Sequence, residues 1–338
     1  MNRIRAWAAH AAGRALEPYE FDAGPLGLEE VEVSVEYCGI CHADLSVLNN
    51  DWGMSIYPFV PGHEAVGKVV DLGEQAKGLD IGQRVGIGWN ARSCMHCGMC
   101  VSGDQHLCAQ VQPTIVGRHG GYAERLRAHW AWVFPLPQGL DASAAGPLLC
   151  GGIAVFAPLL NLRVKPTERV GVLGIGGLGH LAIKILKAWG CEVTALTSSD
   201  SKREEAMRLG AHRVVSSRDS EAMKGIAGSL DLLLSTVNVS LDWKAIMAML
   251  APKGRAHFLG VVMEPVPLDI SNLIFRQQSV SASPTGSPGA IASLLNFAAR
   301  HGISPQVEHC PMSRVNDGLE YLKAGKARYR VVLDADFA

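Results

Sequence analysis

Apolar and polar residues alternate in short runs over the first part of the chain, for example at residues 31–35, 65–70 and 84–87. Glycine, proline and other turn residues separate these runs. Such alternation is typical of strands with one buried face. We therefore predict a twisted antiparallel β domain over residues 1–145.

From about residue 146, apolar runs typical of buried strands alternate with segments that have the hydrophobic period of a helix. Residues 169–173 form a continuous apolar run that predicts a buried strand, and residues 178–189 follow with the 3.6-residue period of a helix. The alternation continues, with strands expected at 192–196, 213–215, 231–234 and 256–259 and helices at 202–209 and 243–250. Strands that alternate with helices predict a doubly wound parallel sheet, and hence an α/β protein.

The last part of the chain is expected to belong to the β domain again. A helix is expected at 291–300 and a last strand at 329–333. The simplest arrangement is a discontinuous β domain, residues 1–145 and 290–338, with a nucleotide-binding domain, residues 146–289, inserted into it.

Composition narrows the functional classes. The chain has 338 residues, of which 48% are hydrophobic and 19% charged, and its formal net charge is −1. A chain without a basic stripe is not expected to bind nucleic acid or an anionic membrane as its main partner. The N-terminal segment lacks the apolar stretch of a signal peptide, and no run reaches about 18 apolar residues. With an odd count of nine cysteines, these features predict a cytoplasmic protein.

Four cysteines lie close together at Cys-x2-Cys-x2-Cys-x7-Cys spacing: Cys94, Cys97, Cys100 and Cys108. Four thiolates so placed surround one tetrahedral Zn²⁺ and leave no position for a substrate. The segment is poor in core-forming residues, so a bound metal is what would order it. We predict a structural zinc site here.

A glycine-rich loop connects the predicted strand 169–173 to the following helix. It matches Gly-x-Gly-x-x-Gly, a pattern that is meaningful in this strand–helix context. The glycines permit a tight turn and a close approach to a pyrophosphate, which the helix N-terminus attracts. The expected dinucleotide contacts are Gly174, Gly176, Gly177, Leu178 and Gly179.

The end of the second strand indicates which dinucleotide is bound. Enzymes that prefer NAD carry an acidic residue there, which bonds the ribose 2′-hydroxyl. This chain has hydroxyls and cations that suit a 2′-phosphate, and Asp200 among them is interpreted as the N-cap of the next helix. We therefore expect NADP(H), held by Thr197, Ser198, Ser199, Lys202 and Arg203.

Three further candidate ligands are scattered along the chain: Cys41, His63 and Cys150. A catalytic zinc takes three protein ligands and keeps one open position, and two thiolates with one imidazole form a known set for alcohol oxidation. Each residue taken alone is ambiguous, since a histidine after Pro-Gly is also an ordinary turn residue.

A resemblance to a known family resolves this ambiguity. The chain resembles the zinc-dependent medium-chain alcohol dehydrogenases, and most closely their cinnamyl-alcohol-dehydrogenase branch. The matching segments occur in order over nearly the whole chain: Cys-Gly-Ile-Cys-His-x-Asp-Leu at 38–45, Tyr-Pro-Phe-Val-Pro-Gly-His-Glu at 57–64, the four-cysteine lobe, Pro-Leu-Leu-Cys at 147–150 and Gly-Ile-Gly-Gly-Leu-Gly-His at 174–180.

The resemblance implies a GroES-like catalytic domain, two Zn²⁺ per chain and a set of site residues. The residues matching Cys41, His63 and Cys150 bind the catalytic zinc in that family, and Glu64 approaches the metal as an alternative ligand. Asp44 matches the carboxylate that orients the imidazole of the histidine ligand and raises its basicity. Thr236, Gly260 and Ser283 match positions that contact the cofactor. The family also implies a homodimer, formed through an edge strand expected around residues 256–262.

One departure from the family concerns proton transfer. The family has Ser or Thr two positions after the first zinc ligand, and often His three residues later. These positions hold Ala43 and Ser46 here. Alanine forms no side-chain hydrogen bond, so protons must come from water, Ser46 or the cofactor ribose.

Three interpretations follow from this departure. The first is reduction of aldehydes, with water in place of the relay. The second is an NADPH-dependent reductase of iminium or activated alkene substrates, and the third is a non-catalytic protein that binds zinc and NADP. The intact metal-ligand set argues against the third.

Four residues are candidates to line an apolar cleft between the domains: Trp52, Met54, Tyr57 and Trp89. They favour a small-molecule substrate, namely an aromatic or medium-length aliphatic aldehyde or the corresponding alcohol.

Overall fold

The computed structural model describes residues 3–337. The chain divides into two compact units. The first unit is Met1–Ile153 together with Thr285–Ala338, and the second is Ala154–Pro284. Each described unit has its own core of buried apolar side chains.

The strands are numbered in chain order. They are β1 Arg3–Ala8, β2 Glu17–Asp22, β3 Glu30–Ile40, β4 Ala65–Leu72, β5 Arg84–Ile87, β6 Asn90–Arg92, β7 Gln112–Pro113, β8 Arg125–His129, β9 Val133–Pro135, β10 Arg169–Leu173, β11 Glu192–Thr197, β12 Arg213–Ser216, β13 Leu230–Ser235, β14 Leu250–Phe258, β15 Ser279–Ala282, β16 Val307–Pro311 and β17 Arg330–Asp334.

The helices are numbered in the same way. They are α1 His42–Asn49, α2 Gly98–Val101, α3 Ala142–Ala145, α4 Gly151–Asn161, α5 Gly179–Trp189, α6 Arg203–Leu209, α7 Ser220–Lys224, α8 Trp243–Ala248, α9 Ile270–Arg276, α10 Pro288–His301 and α11 Val315–Lys323. Short 3-10 turns occur between several of these elements.

The first unit is built on a seven-stranded mixed sheet. Its order is β16-β17-β3-β4-β5-β9, and β8 also pairs with β3. The long central strand β3 pairs antiparallel with β4, β8 and β17. Strand β3 ends at Ile40, and the next residue, Cys41, is the N-cap of α1.

The second unit is a six-stranded sheet in the order β12-β11-β10-β13-β14-β15, with every neighbouring pair parallel. The predicted doubly wound α/β sheet is confirmed. The chain order reverses direction between β10 and β13, which is the topological switch point where such sheets bind ligands. The glycine-rich loop follows β10 at this point.

Two expectations about the second unit are wrong. The helix expected to reach residue 250 ends at Ala248, and Leu250 already begins β14. The segment 256–262 was expected at the sheet edge, but β14 pairs with both β13 and β15. The edge strand beyond β14 is β15, whose sequence Ser-Val-Ser-Ala is too short and polar to show a strand pattern.

Within residues 3–337, no individual helix has the length and apolar character needed to cross a bilayer. One bent pair, Ala142–Leu149 with Gly151–Asn161, meets the criterion by length and composition only.

Candidate active site and metal centres

Three residues that are distant in sequence meet in the first unit. Cys41 precedes α1, His63 lies just before β4, and Cys150 precedes α4. The sulfur atoms of Cys41 and Cys150 are 3.8 Å apart, and Nε2 of His63 is 3.3 Å from the sulfur of Cys150. One ligand atom from each of these residues and from Glu64 lies within 4.8 Å of all the others.

This spacing fits a tetrahedral zinc ion. Zinc–sulfur bonds of about 2.3 Å place two sulfur ligands of a tetrahedron about 3.8 Å apart, and the shorter zinc–nitrogen bond brings nitrogen and sulfur slightly closer. The observed separations follow both expectations. Two thiols and one imidazole are also donors that zinc prefers.

The Glu64 carboxylate completes the group and has one oxygen free. Glu64 is fully buried, and its Oε1 pairs with the guanidinium of Arg330. Its Oε2 has no hydrogen-bond partner among residues 3–337. Gly39 leaves the room this oxygen needs, because a Cβ on Gly39 would lie 2.0 Å from it. A buried carboxylate oxygen without a partner is suited to a metal as an exchangeable ligand.

Arg330 is a site residue that the sequence analysis missed. It is 3% exposed and lies on β17. Burial raises the pKa of the Glu64 carboxyl, while the positive charge of Arg330 acts in the opposite direction. The signal that could have found it is a charged residue next to the apolar run Val-Val-Leu, since arginine is seldom buried without a partner.

Asp44 holds the imidazole of His63 in place. Its Oδ1 lies 3.0 Å from Nδ1 of His63 and accepts the N–H of Gly62 at 3.0 Å. Its Oδ2 accepts the N–H of Cys41 at 2.9 Å, and the Tyr122 hydroxyl lies 3.5 Å away. The carboxylate fixes the ring so that Nε2 faces the thiols, as metal-binding histidines require.

The two thiols of the site affect each other's ionisation. The hydrogen bond from Cys150 lowers the pKa of Cys41 well below the usual thiol value, and the charge of Arg330 adds to this effect. The same contact raises the pKa of Cys150. A thiolate at Cys41 is the form that binds metal.

The positions of the expected proton relay lie on α1. Ala43 is half-buried, and Ser46 is 7% exposed. Because they are three residues apart, they share one face of the helix. The hydroxyl of Ser46 is therefore the side-chain oxygen that α1 offers on that face.

Aromatic rings adjoin the metal-ligand group. The ring of Trp89 lies edge-on to the imidazole of His63, with centroids 4.9 Å apart, and Trp52 is edge-on to Trp89 at 6.2 Å. The Tyr57 hydroxyl instead donates to the carbonyl of Leu48. Of the four predicted pocket residues, Trp89 and Trp52 therefore form an aromatic wall beside the site, while Met54 is 41% exposed.

The four-cysteine lobe forms a second candidate metal centre. The sulfur atoms of Cys94, Cys97, Cys100 and Cys108 lie within 4.8 Å of one another. The Cys94 and Cys100 sulfurs are 3.9 Å apart, and the Cys97 N–H donates to the Cys94 sulfur. Backbone hydrogen bonds, from His96 first, lower the pKa of Cys94 to about 6. Four sulfur donors at this spacing suit a closed structural zinc site.

The glycine-rich loop of the second unit has the shape that a pyrophosphate needs. Gly174 adopts a φ of 91°, and a Cβ on Gly179 would lie 1.9 Å from the carbonyl oxygen of Gly174. A Cβ on Gly176 would meet no atom within 4 Å, so this position faces open space. The Thr236 hydroxyl donates to the carbonyls of Leu173 and Gly174 and holds the turn.

The predicted 2′-phosphate segment follows β11. Lys202 donates from Nζ to the carbonyl of Ile175 in the glycine-rich loop, at 2.7 Å. Arg203 donates to the carbonyl of Val214, and the hydroxyls of Ser199 and Ser201 are 2.7 Å apart.

Three other residues of this segment differ in burial. Thr197 is buried at the end of β11 and accepts the N–H of Ser199. Ser198 and Asp200 are exposed.

The interpretation of Asp200 as a helix N-cap is wrong. Asp200 is the first residue of a 3-10 turn whose N-cap is Ser199, and the N-cap of α6 is Lys202. This 3-10 turn leads directly into α6.

The other predicted cofactor contacts follow the carboxyl ends of three neighbouring strands. Thr236 follows β13, Gly260 lies after β14 and Ser283 follows β15. Gly260 packs tightly, since a Cβ there would lie 2.1 Å from the carbonyl oxygen of Val237. These residues therefore line the edge of the sheet at which parallel α/β folds bind ligands.

Two family models match the chain. The model of the alcohol dehydrogenase GroES-like domain matches residues 27–138, and that of the zinc-binding dehydrogenase matches residues 177–300. The first contains three of the four residues near the candidate catalytic metal, and the second contains the glycine-rich loop from Gly177 onward.

Individual proteins resemble the chain over almost its full length. It is 51% identical to aldehyde reductase AdhA of Synechocystis sp. over 330 residues, which cover 98% of each chain. The structure of a cinnamyl alcohol dehydrogenase from Sorghum bicolor matches with a TM-score of 0.95 and 35% identity, covering 98% of this chain and 97% of the other. A cinnamyl alcohol dehydrogenase structure from Helicobacter pylori, complexed with NADP(H), matches with a TM-score of 0.90 and 27% identity, covering 98% of both.

Proposed function

Since this chain belongs to the zinc-dependent medium-chain alcohol dehydrogenases, in their cinnamyl-alcohol-dehydrogenase-like branch, we propose that it reduces aldehydes to alcohols with NADPH. The observation that carries this proposal is the tetrahedral spacing of the Cys41, His63 and Cys150 donor atoms beside the free oxygen of Glu64. Three protein ligands leave a fourth position for a substrate oxygen.

The residues around the candidate catalytic metal site of the first unit each have a defined task in this reaction. Cys41, His63 and Cys150 hold the zinc, which when bound polarises a carbonyl oxygen as a Lewis acid. Asp44 keeps the Nδ1 proton of His63 and so fixes which ring nitrogen faces the metal. Glu64 would serve as an exchangeable ligand of the metal through its free oxygen, and Arg330 holds the other oxygen of its carboxylate.

We assign cofactor binding to the second unit, where NADPH supplies the hydride. Gly174, Gly176 and Gly179 shape the pyrophosphate loop, and Gly177 and Leu178 offer their backbone at the start of α5. Lys202 and Arg203, with Thr197, Ser198 and Ser199, suit a 2′-phosphate. The NADP(H) bound by the Helicobacter pylori relative supports this choice.

We propose an aromatic or medium-length aliphatic aldehyde as the substrate. The wall formed by Trp89 and Trp52 supplies apolar surface directly beside His63. The relatives named for aldehyde reduction and for cinnamyl alcohol oxidation support the same substrate class.

Proton delivery differs from the family pattern. Ala43 has no polar side-chain atom, so we assign the proton of the new hydroxyl to water, with Ser46, on the same face of α1, as the alternative source. The reduction consumes one proton, which is more readily supplied by solvent at low pH.

We propose that the protein works as a cytoplasmic homodimer with two zinc ions per chain. The outer edge of β15, which pairs with no other strand within residues 3–337, supports an edge-to-edge contact between two copies. Exposed apolar side chains follow β14 and lie on α9: Val261, Met263, Ile270, Ile274 and Phe275. The second zinc would be the closed ion held by the four-cysteine lobe.

A substrate panel tests the proposed reaction. Purified protein is supplied with NADPH and, separately, with benzylic aldehydes, medium-length aliphatic aldehydes, cyclic imines and enals, and the products are identified by mass spectrometry. We expect alcohols from the aldehydes and C=O reduction of the enals. Faster turnover of imines, or reduction of the enal C=C bond, would replace the proposal with the iminium or alkene reductase. NADPH binding without any turnover would favour a non-catalytic protein.

A further inference from the structure

A buried histidine in the second unit links two serines. His257 is 3% exposed and lies on β14. Its Nδ1 is 2.8 Å from the hydroxyl of Ser281, and its Nε2 is 2.9 Å from the hydroxyl of Ser283. The parallel register places His257 directly beside Ser281. Since Ser283 is two residues further, its side chain falls on the same face.

The ring between these serines is neutral. Burial, aided by the positive charge of Arg255, lowers the pKa of His257 to about 4. A neutral imidazole donates one hydrogen bond and accepts one. Among residues 3–337, the hydroxyl of Ser283 bonds to His257 alone. In either tautomer it therefore keeps a donor or acceptor site for a further group.

Ser283 lies where the second half of a dinucleotide would bind. The glycine-rich loop follows β10, and the basic segment with Lys202 follows β11, so the phosphates and the adenosine ribose belong to that half of the sheet. The nicotinamide half of a bound dinucleotide would then lie over the carboxyl ends of β13, β14 and β15. Ser283 directly follows the last of these strands.

We propose that His257 is a positioning residue for the nicotinamide half of the cofactor: its Nε2 fixes the Ser283 hydroxyl, which hydrogen-bonds the nicotinamide carboxamide. The inference rests on NADPH being the cofactor. The carboxamide carries both a carbonyl acceptor and an NH₂ donor, so either direction of the Ser283 bond is satisfied.

Two conservative variants of His257 distinguish the roles of its two ring nitrogens. The amide nitrogen of glutamine corresponds in reach to Nε2, and that of asparagine corresponds to Nδ1. His257→Gln therefore keeps a bond to Ser283, while His257→Asn keeps one to Ser281. Ser283→Ala and Ser281→Ala form a second matched pair that leaves the histidine in place.

The readout is the Kd of NADPH and of adenosine 2′,5′-bisphosphate, measured by isothermal titration calorimetry. The bisphosphate lacks nicotinamide. We expect His257→Asn and Ser283→Ala to raise the Kd of NADPH about 5- to 10-fold, the range for one lost hydrogen bond. His257→Gln and Ser281→Ala should change it less than about twofold, and the bisphosphate Kd should stay constant in all four.

Two results would overturn the inference. Equal effects of His257→Asn and His257→Gln, or a parallel loss of NADPH and bisphosphate affinity, would show that His257 only stabilises the sheet. Failure of the unaltered protein to bind either nucleotide would overturn the proposed cofactor and this inference together. The two failures are thus distinguishable. Thermal unfolding of each variant identifies any that do not fold. If the His257 variants do not fold, the comparison of Ser283→Ala with Ser281→Ala tests the inference.

Discussion

The guanidinium of Arg330 pairs with the Glu64 carboxylate in the interior of the first unit, where the side chains are 3% and 0% exposed. The pair links β17 to the segment that carries His63. Burial raises the pKa of the Glu64 carboxyl, and the positive charge of Arg330 opposes this rise.

We predict that Arg330→Met destabilises the protein strongly. It leaves the Glu64 carboxylate buried without its partner, and breaking a buried pair costs about 3–5 kcal/mol. Urea unfolding measures this change. Glu64→Gln in the same chain should restore part of the stability, because it removes the uncompensated charge.

Arg3→Met is the matched control for this prediction. The Arg3–Glu20 pair is 66% and 51% exposed, and such pairs contribute at most about 1 kcal/mol. Equal losses in the two methionine variants would contradict a special role for the buried pair.

Restoring a hydroxyl at position 43 tests the account of proton transfer. We expect Ala43→Thr to raise alcohol oxidation, by up to about 10²-fold, the low end for a positioned proton-transfer group. Aldehyde reduction at low pH should rise less, because protons are then abundant. Steady-state rates in both directions measure the difference.

Ala43→Val controls for the added volume, since valine has the shape of threonine without the hydroxyl. The same gain with valine would assign the effect to packing. A loss in both directions with the zinc content unchanged would show that the missing relay does not limit the reaction.

The cofactor preference is tested at Lys202. We predict that Lys202→Ala raises the KM for NADPH about tenfold or more, the effect of losing one hydrogen bond to a charged group, and leaves the KM for NADH nearly unchanged. Lys224→Ala is the control, because that lysine is 72% exposed and pairs with Glu221. A parallel rise for both cofactors would mean that Lys202 acts only through its bond to Ile175.

The sequence pattern predicts regular elements well where one period persists. Helix α5 begins one residue after the predicted start, and strand β10 has the predicted bounds. It fails where a strand carries little apolar signal, as in β15, which pairs with β14 in the sheet. Strand pairing depends on long-range contacts that local periodicity does not contain.

The residues of the candidate site were likewise only partly predictable from the sequence. The spacing of the four cysteines predicts a cluster directly, and the structure brings their sulfurs together. Cys41, His63 and Cys150 are ambiguous one by one, and a family resemblance was needed to group them. The contacts of Arg330 and His257 arise from tertiary packing, which no motif encodes.

The central claim is that Cys41, His63 and Cys150 hold a reactive zinc separate from the one in the four-cysteine lobe. The most direct measurement is the zinc content per chain of the unaltered protein and of Cys150→Ser, determined by mass spectrometry of the metal after dialysis against a mild chelator. We predict two zinc ions in the first protein and one in the variant, with reductase activity lost and secondary structure retained. Two tightly held zinc ions in the variant, or fewer than two in the unaltered protein before chelation, would contradict the account.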